Sequence, residues 1–319
     1  MQALAEGWMS DPRPIGIFDS GVGGLTVLRE ILRRSPAEST IYLGDSARAP
    51  YGVRSDGEVR AFSTSAIDYL VARDVKAVVI ACNTSTAVAI GELRRRHDVP
   101  ILGVIRPGAV TAALTTRNRR VGVIATPATI RSHAYFTAIK EENPAVEVYE
   151  HATPSLVPMV EAGHVDGHEV ESAVADALAP LLGERDAAGE FIFPMPASAR
   201  IDTLLLGCTH YPLLRSTIAA VAGDRIAIVD SASATASALH DLLAINGLEA
   251  PGSSRGTAAD PGAAGHEAPS GHFTPSTHRQ LTTGDLEAFR AIAGRMFGEA
   301  FPDVERVELE APPLVELAG

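Results

Sequence analysis

Apolar and polar positions alternate along this chain in one repeated rhythm. Short runs rich in β-branched residues are followed by longer stretches whose apolar residues recur at helical spacing. Pro14 to Asp19 reads as a strand, and Leu25 to Arg34 as a helix with Leu25, Leu28, Ile31 and Leu32 on one side. A strand over 40–44, a helix over 56–73, an uninterrupted apolar strand over 76–81, a helix over 84–97 and a strand over 101–104 complete a first series. A second series runs through a strand at 120–125, a helix at 129–142 and a strand at 146–151. It continues with a helix at 167–182, which Pro180 is expected to bend, and a buried strand at 201–206. A helix at 213–222, a strand at 226–229 and a helix at 232–245 follow. A helix at 285–297, with Asp285 as its N-cap, and a strand at 304–309 end the pattern. Strands that are apolar throughout, alternating with helices, belong to parallel sheets covered on both faces. The expected fold is therefore α/β, in two series.

Two stretches break the rhythm. Residues 186–200 carry Pro194 and Pro196 and little periodicity, and residues 251–277 are rich in Gly, Ala, Ser, Pro and His, the composition of a flexible linker. Residues 1–11 read as a disordered tail with neither the basic start nor the apolar middle of a secretory signal, which points to a cytoplasmic protein. No apolar run approaches the roughly 18 residues that a membrane helix needs. The length of 319 residues suffices for two lobes with separate cores. A formal charge of -12, from 27 Lys+Arg against 39 Asp+Glu, speaks against nucleic-acid binding through a basic face.

The two series echo each other. Val78-Val79-Ile80-Ala81-Cys82-Asn83-Thr84 and Leu204-Leu205-Leu206-Gly207-Cys208-Thr209-His210 each run from an apolar strand through a small residue to a cysteine and then a polar residue. The chain has only these two cysteines. Ligands of open parallel sheets bind beyond the carboxyl ends of the strands, where Asp19, Asp45, Cys82 and Cys208 all fall. One cysteine after an apolar strand reads as a small buried hydrophobe. Both cysteines at matching strand ends, with His210 two residues beyond one of them, read as chemistry.

The turn Asp19-Ser20-Gly21-Val22-Gly23-Gly24-Leu25-Thr26 follows a strand and opens a helix, so its backbone N–H groups are placed to meet an anion. It is a poor dinucleotide fingerprint, because Thr26 stands where Gly or Ala is needed; a carboxylate-binding turn and a plain tight turn fit as well. Two cysteines and one nearby histidine do not make a usual zinc site. The only lysines are Lys76, at the wrong end of a strand, and Lys140, in a polar helix end, so no lysine is placed to carry pyridoxal phosphate. No metal and no cofactor are expected.

These motifs, with Gly44-Asp45-Ser46-Ala47-Arg48-Ala49-Pro50-Tyr51-Gly52, Gly122-Val123-Ile124-Ala125-Thr126, Leu206-Gly207-Cys208-Thr209-His210-Tyr211-Pro212 and Thr282-Thr283-Gly284-Asp285, resemble in order those of the glutamate racemases in the aspartate/glutamate racemase family. The resemblance implies two similar α/β lobes, each a mostly parallel sheet covered by helices, with the active site in the cleft between them. It divides the chain into a discontinuous first lobe, 12–105 with 229–319, and a second lobe, 106–228. It implies cofactor-independent interconversion of L- and D-glutamate, supplying D-glutamate for peptidoglycan. By similarity, Cys82 and Cys208 are the catalytic thiols, Asp19 assists Cys82, and His210 with Glu161 assists Cys208. Asp19, Ser20, Pro50, Tyr51, Gly52, Asn83, Thr84, Thr209 and His210 are the substrate-binding positions, with Thr126 beside them. Aspartate racemases usually carry a carboxylate where His210 stands, which favours glutamate. Departures from the family pattern are Arg106, where an acid is frequent, and the two irregular stretches.

Two thiols suit the reaction. Racemisation removes the α-proton from one face of the substrate and returns a proton to the other. A free thiol has a pKa of about 8.5, so its surroundings can poise one cysteine as thiolate and the other as thiol. Other readings stay open beside this one: a racemase for another amino acid such as aspartate, a Cys–His acyl-transfer hydrolase, a nicotinamide-dependent oxidoreductase, or a non-catalytic amino-acid-binding protein. The partners expected are the small substrate, no nucleic acid and no membrane, with a homodimer left open.

Overall fold

The structure, a computed structural model, describes residues 10–185, 191–192, 200–252, 276–297 and 304–310. Most of the irregular stretches at 186–200 and 251–277, and residues 1–9 of the tail, lie outside the described residues. The chain runs β1 (Ile15–Asp19), α1 (Leu25–Arg34), β2 (Thr40–Gly44), α2 (Asp56–Val71), β3 (Ala77–Ile80), α3 (Asn83–Arg96), β4 (Ile101–Gly103) and α4 (Ile105–Thr115). It continues through β5 (Arg120–Ala125), α5 (Pro127–Arg131), α6 (Ala134–Glu142), β6 (Glu147–Ala152), α7 (Leu156–Glu161), α8 (His168–Leu182), β7 (Glu184–Arg185), β8 (Phe191–Ile192) and β9 (Thr203–Gly207). The last elements are α9 (Arg215–Ala222), β10 (Ala227–Asp230), α10 (Ser231–Asn246), β11 (His278–Thr282), α11 (Leu286–Phe297) and β12 (Val304–Arg306).

Two parallel sheets result. The first has six strands in the order β12-β11-β2-β1-β3-β4, and the second has four in the order β10-β9-β5-β6. Every strand pair in both is parallel. The inner strands are buried on both faces, which is why β1, β3, β5 and β9 are apolar without alternation. In β1, Ile15 and Ile17 pack with Leu25, Leu28 and Ile31 on one side, while Phe18 joins Ile67 and Leu70 on the other. In the second sheet Val121 and Val123 face Ile139, and Ile124 faces Leu178.

Strand order places the site. In the first sheet the chain leaves β1 for β2 on one side and returns to β3 on the other, so the crevice between the carboxyl ends of β1 and β3 is a topological switch point. The second sheet repeats this with β6 and β9 flanking β5. Cys82 follows β3 and Cys208 follows β9, so each sheet presents one cysteine at its own switch point.

The helix expected over 129–142 is two helices. His133 adopts a left-handed φ of 50° between α5 and α6, and its ring pairs with Glu150 at 2.7 Å. The strand β11, the helix α4 and the helix α7 add to the predicted elements. No helix among the described residues is long and apolar enough to cross a membrane.

Candidate active site

Cys82 is the N-cap of α3. Its Sγ accepts from Ser85 N at 3.5 Å and donates to Ser20 Oγ at 3.4 Å. Burial raises the Cys82 thiol above its ordinary pKa, and the negative charge of Asp19 raises it further. Cys82 therefore rests as a thiol, with a carboxylate nearby to favour that state. Asp19 is itself fully buried at the end of β1, where Oδ2 accepts from Gly21 N at 2.9 Å and Oδ1 from Thr209 Oγ1 at 3.5 Å.

Cys208 has a different neighbour. Its Sγ lies 3.6 Å from His210 Nδ1, and the other ring nitrogen lies 3.3 Å from Glu161 Oε1, close enough to pair but off hydrogen-bond alignment. Burial pulls the His210 pKa down, but the Cys208 sulfur and the Glu161 carboxylate outweigh it and leave the pKa well above its ordinary value. His210 thus holds a proton within reach of Cys208.

Both cysteines line one cavity with about 60 Å3 of free space. Ser20, Pro50, Tyr51 and Gly52 line it from the first sheet's loops, joined by Asn83 and Thr84 from the start of α3. Thr126, Glu161, Thr209 and His210 line it from the second. Asp19 lies beneath the wall rather than in it. A much larger open groove, about 1040 Å3, lies among α3, α4, α6 and α10, but neither cysteine reaches it, so size does not mark the chemistry here.

The glycine-rich turn plays another part than the anion cradle expected of it. Of its residues only Ser20 lines the cavity. A Cβ on Gly23 would stand 2.5 Å from His210 Nδ1, and one on Gly24 2.5 Å from the Cβ of Asp19. The glycines let the two ionisable partners approach the backbone that closely. Asp45 likewise stays outside the cavity. Fully buried, it accepts from Arg48 Nε at 2.6 Å, Thr283 Oγ1 at 2.8 Å and the Tyr51 hydroxyl. It thereby ties the Pro50–Gly52 wall to the segment after β11.

Sequence reasoning missed the apolar side of the cavity, Val53, Pro127, Pro154, Val157 and Pro158, whose residue types carry no chemical signal. It named Thr84 and Thr126 but not Thr129, which joins them in a cluster of hydroxyls across the two sheets. Thr84 Oγ1 lies 3.0 Å from that of Thr126 and 3.4 Å from that of Thr129. Among the described residues no group of three His, Cys, Asp or Glu side chains is arranged to hold a metal ion. Lys76, at the amino end of β3, is paired with Glu38 rather than facing the cavity.

The family model of the Asp/Glu/hydantoin racemases matches residues 15–239 of this chain, the span that holds both cysteines at their switch points. The chain belongs to this family, and within it to the glutamate racemases. It is 42% identical over 299 residues to the glutamate racemase of Geobacter metallireducens, covering 94% of this chain and 98% of that one. The crystal structure of a glutamate racemase isoform from Bacillus anthracis superposes with a TM-score of 0.79 at 36% identity, over 94% of this chain and 99% of that one. That of the Francisella tularensis glutamate racemase, in complex with D-glutamate, gives 0.76 at 31% identity over 95% and 100%.

Proposed function

We propose that this protein interconverts L- and D-glutamate by two-base proton transfer between Cys82 and Cys208, supplying D-glutamate for peptidoglycan. The observation that carries this reading is the pairing of each thiol in one cavity with its own ionisable partner: Asp19 for Cys82, His210 with Glu161 for Cys208. In the D-to-L direction the Cys82 sulfur, after passing its proton toward Asp19, takes the α-proton. Cys208 returns a proton to the opposite face and is replenished from the His210 imidazolium. The L-to-D direction runs in reverse. Charge builds on the α-carboxylate as the proton leaves, and Asn83 Nδ2, a buried donor in the cavity wall with no partner among the described residues, is the group we assign to stabilise it. Donors fixed before the reaction are worth more in a buried site than in water.

Net turnover does not separate the two thiols. The enantiomers are equal in free energy in water, so kcat/KM is the same in both directions for any variant. Exchange of the α-hydrogen without inversion does separate them. Wild type is expected to convert L-[2-2H]glutamate to an equal mixture with no added cofactor. Cys82→Ala is expected to stop racemisation yet still wash deuterium out of L-glutamate, and Cys208→Ala to do so only from D-glutamate. Washout from both enantiomers by one variant would overturn the assignment. A thioester trapped on Cys208 would point to acyl transfer instead.

A further inference from the structure

Tyr135, the second residue of α6, is fully buried and does not line the cavity, yet its position reaches the backbone beside both thiols. Its hydroxyl meets Asn83 Oδ1 at 2.6 Å, and Asn83 directly follows Cys82. Its ring abuts Gly207, the residue before Cys208: a Cβ there would stand 2.9 Å from Tyr135 Cε2. Gly108 of α4 borders the opposite edge of the ring, where an added Cβ would lie at 3.5 Å from Cε1. Tyr135 belongs to the second sheet's layer and Asn83 to the first's, so this bond crosses between them.

The direction of the bond fixes what Asn83 presents. Burial raises the Tyr135 pKa well above that of a free phenol, the opposing pull of Ser231 notwithstanding, so the hydroxyl keeps its proton. A phenol that keeps its proton donates to the amide oxygen. The amide nitrogen then points the other way. Among the described residues Asn83 Nδ2 is buried with no hydrogen-bond partner, on a residue that is 2% exposed and lines the cavity. A buried donor without a partner is costly unless a ligand satisfies it. Without the phenol, the two ends of the amide are nearly equivalent in shape, and the oxygen is free to turn toward the substrate's carboxylate.

We propose that Tyr135 is a positioning residue that acts through Asn83, locking its amide so that Nδ2 donates to the carboxylate of the substrate. The proposal rests on the two-thiol reading of the cavity. Tyr135→Phe removes one oxygen and keeps the ring against Gly207. It is expected to lower kcat/KM about tenfold, mostly through kcat, because the donor matters most as charge builds in the transition state. Asn83→Ala is expected to lower it at least as far. The deciding measurement is the double-mutant cycle: adding Tyr135→Phe to Asn83→Ala should change kcat/KM by less than twofold. A hydroxyl that acted independently of Asn83 would lower activity by the same factor in both backgrounds, and that outcome overturns the proposal. So does a Tyr135→Phe variant with wild-type kcat and KM. If wild type itself fails to racemise glutamate, the failure belongs to the reading of the site and not to Tyr135.

Discussion

His210 is where one side chain's surroundings decide its state. An imidazole buried alone is neutral at physiological pH. Here a cysteine sulfur on one side and a carboxylate on the other outweigh burial and raise the pKa well above 6.5. A proton bound more tightly in the folded chain than in the unfolded one stabilises the fold. That contribution is complete below about pH 6.5, the unfolded value, and is lost as pH rises through the higher folded-state value. The Tm of wild type relative to His210→Gln is therefore expected to be greatest near about pH 6 and to shrink steadily toward about pH 9. A gap that stays constant over that range would mean that the ring is neutral when folded. The link between His210 and Cys208 was legible in the sequence because they stand two positions apart. Glu161 was not legible from spacing, since it lies 47 positions before Cys208, and only the family resemblance named it. The need for Gly23 was legible as a turn but not as the gap into which His210 packs.

At the scale of elements, α3 joins structure to chemistry at one residue. Its N-cap is Cys82, although caps are usually Ser, Thr, Asp or Asn, whose oxygens accept more strongly than sulfur. Cys82→Ser keeps an acceptor for Ser85 N, and Cys82→Ala removes it. Both variants are expected to lose racemisation, but the Ser variant should be the more stable by about 1 kcal/mol in denaturant unfolding. Equal stabilities would show that the sulfur's contact with Ser85 N contributes nothing to the helix. Strongly apolar strands and long amphipathic helices were legible, and the bounds of α1, β2 and β5 agree with the sequence reading. What stayed hidden has physical causes. The helix α4 starts Ile105-Arg106-Pro107-Gly108, which reads as a turn, yet its proline sits in the first turn, where no backbone N–H is needed. Pro158 disguises the short α7 in the same way. The strand β11, His278-Arg279-Gln280-Leu281-Thr282, is mostly polar, and pairing with β2 and β12 rather than composition makes it a strand. No residue type marks the left-handed His133 that splits the predicted helix, and its pairing with Glu150 comes from the fold.

For the whole molecule, the chemistry and the closure of the first sheet lie at opposite ends of the strands. Lys76 precedes β3, about 20 Å of extended chain from Cys82. Its ammonium, fully buried, pairs with Glu38 at 2.5 Å and donates to the carbonyl of Asp11 at 2.8 Å. Glu38 Oε1 also accepts from Ala250 N at 2.8 Å, beyond the end of α10. One ion pair thus joins the segment before β1, the loop before β2, the start of β3 and the chain leaving α10. Breaking a buried pair on one side leaves a charge with no water and no partner, at a cost of about 3–5 kcal/mol. Lys76→Met is expected to lower stability by that order while leaving kcat/KM within about twofold of wild type, measured below the transition. Adding Glu38→Gln removes the stranded charge and keeps an oxygen for Ala250 N, so the double variant should regain part of the loss in Tm. If instead Lys76→Met lowers kcat/KM in the fully folded protein, the amino ends of the strands are coupled to the cavity. If the double variant is less stable than Lys76→Met, the stranded carboxylate is not the source of the cost.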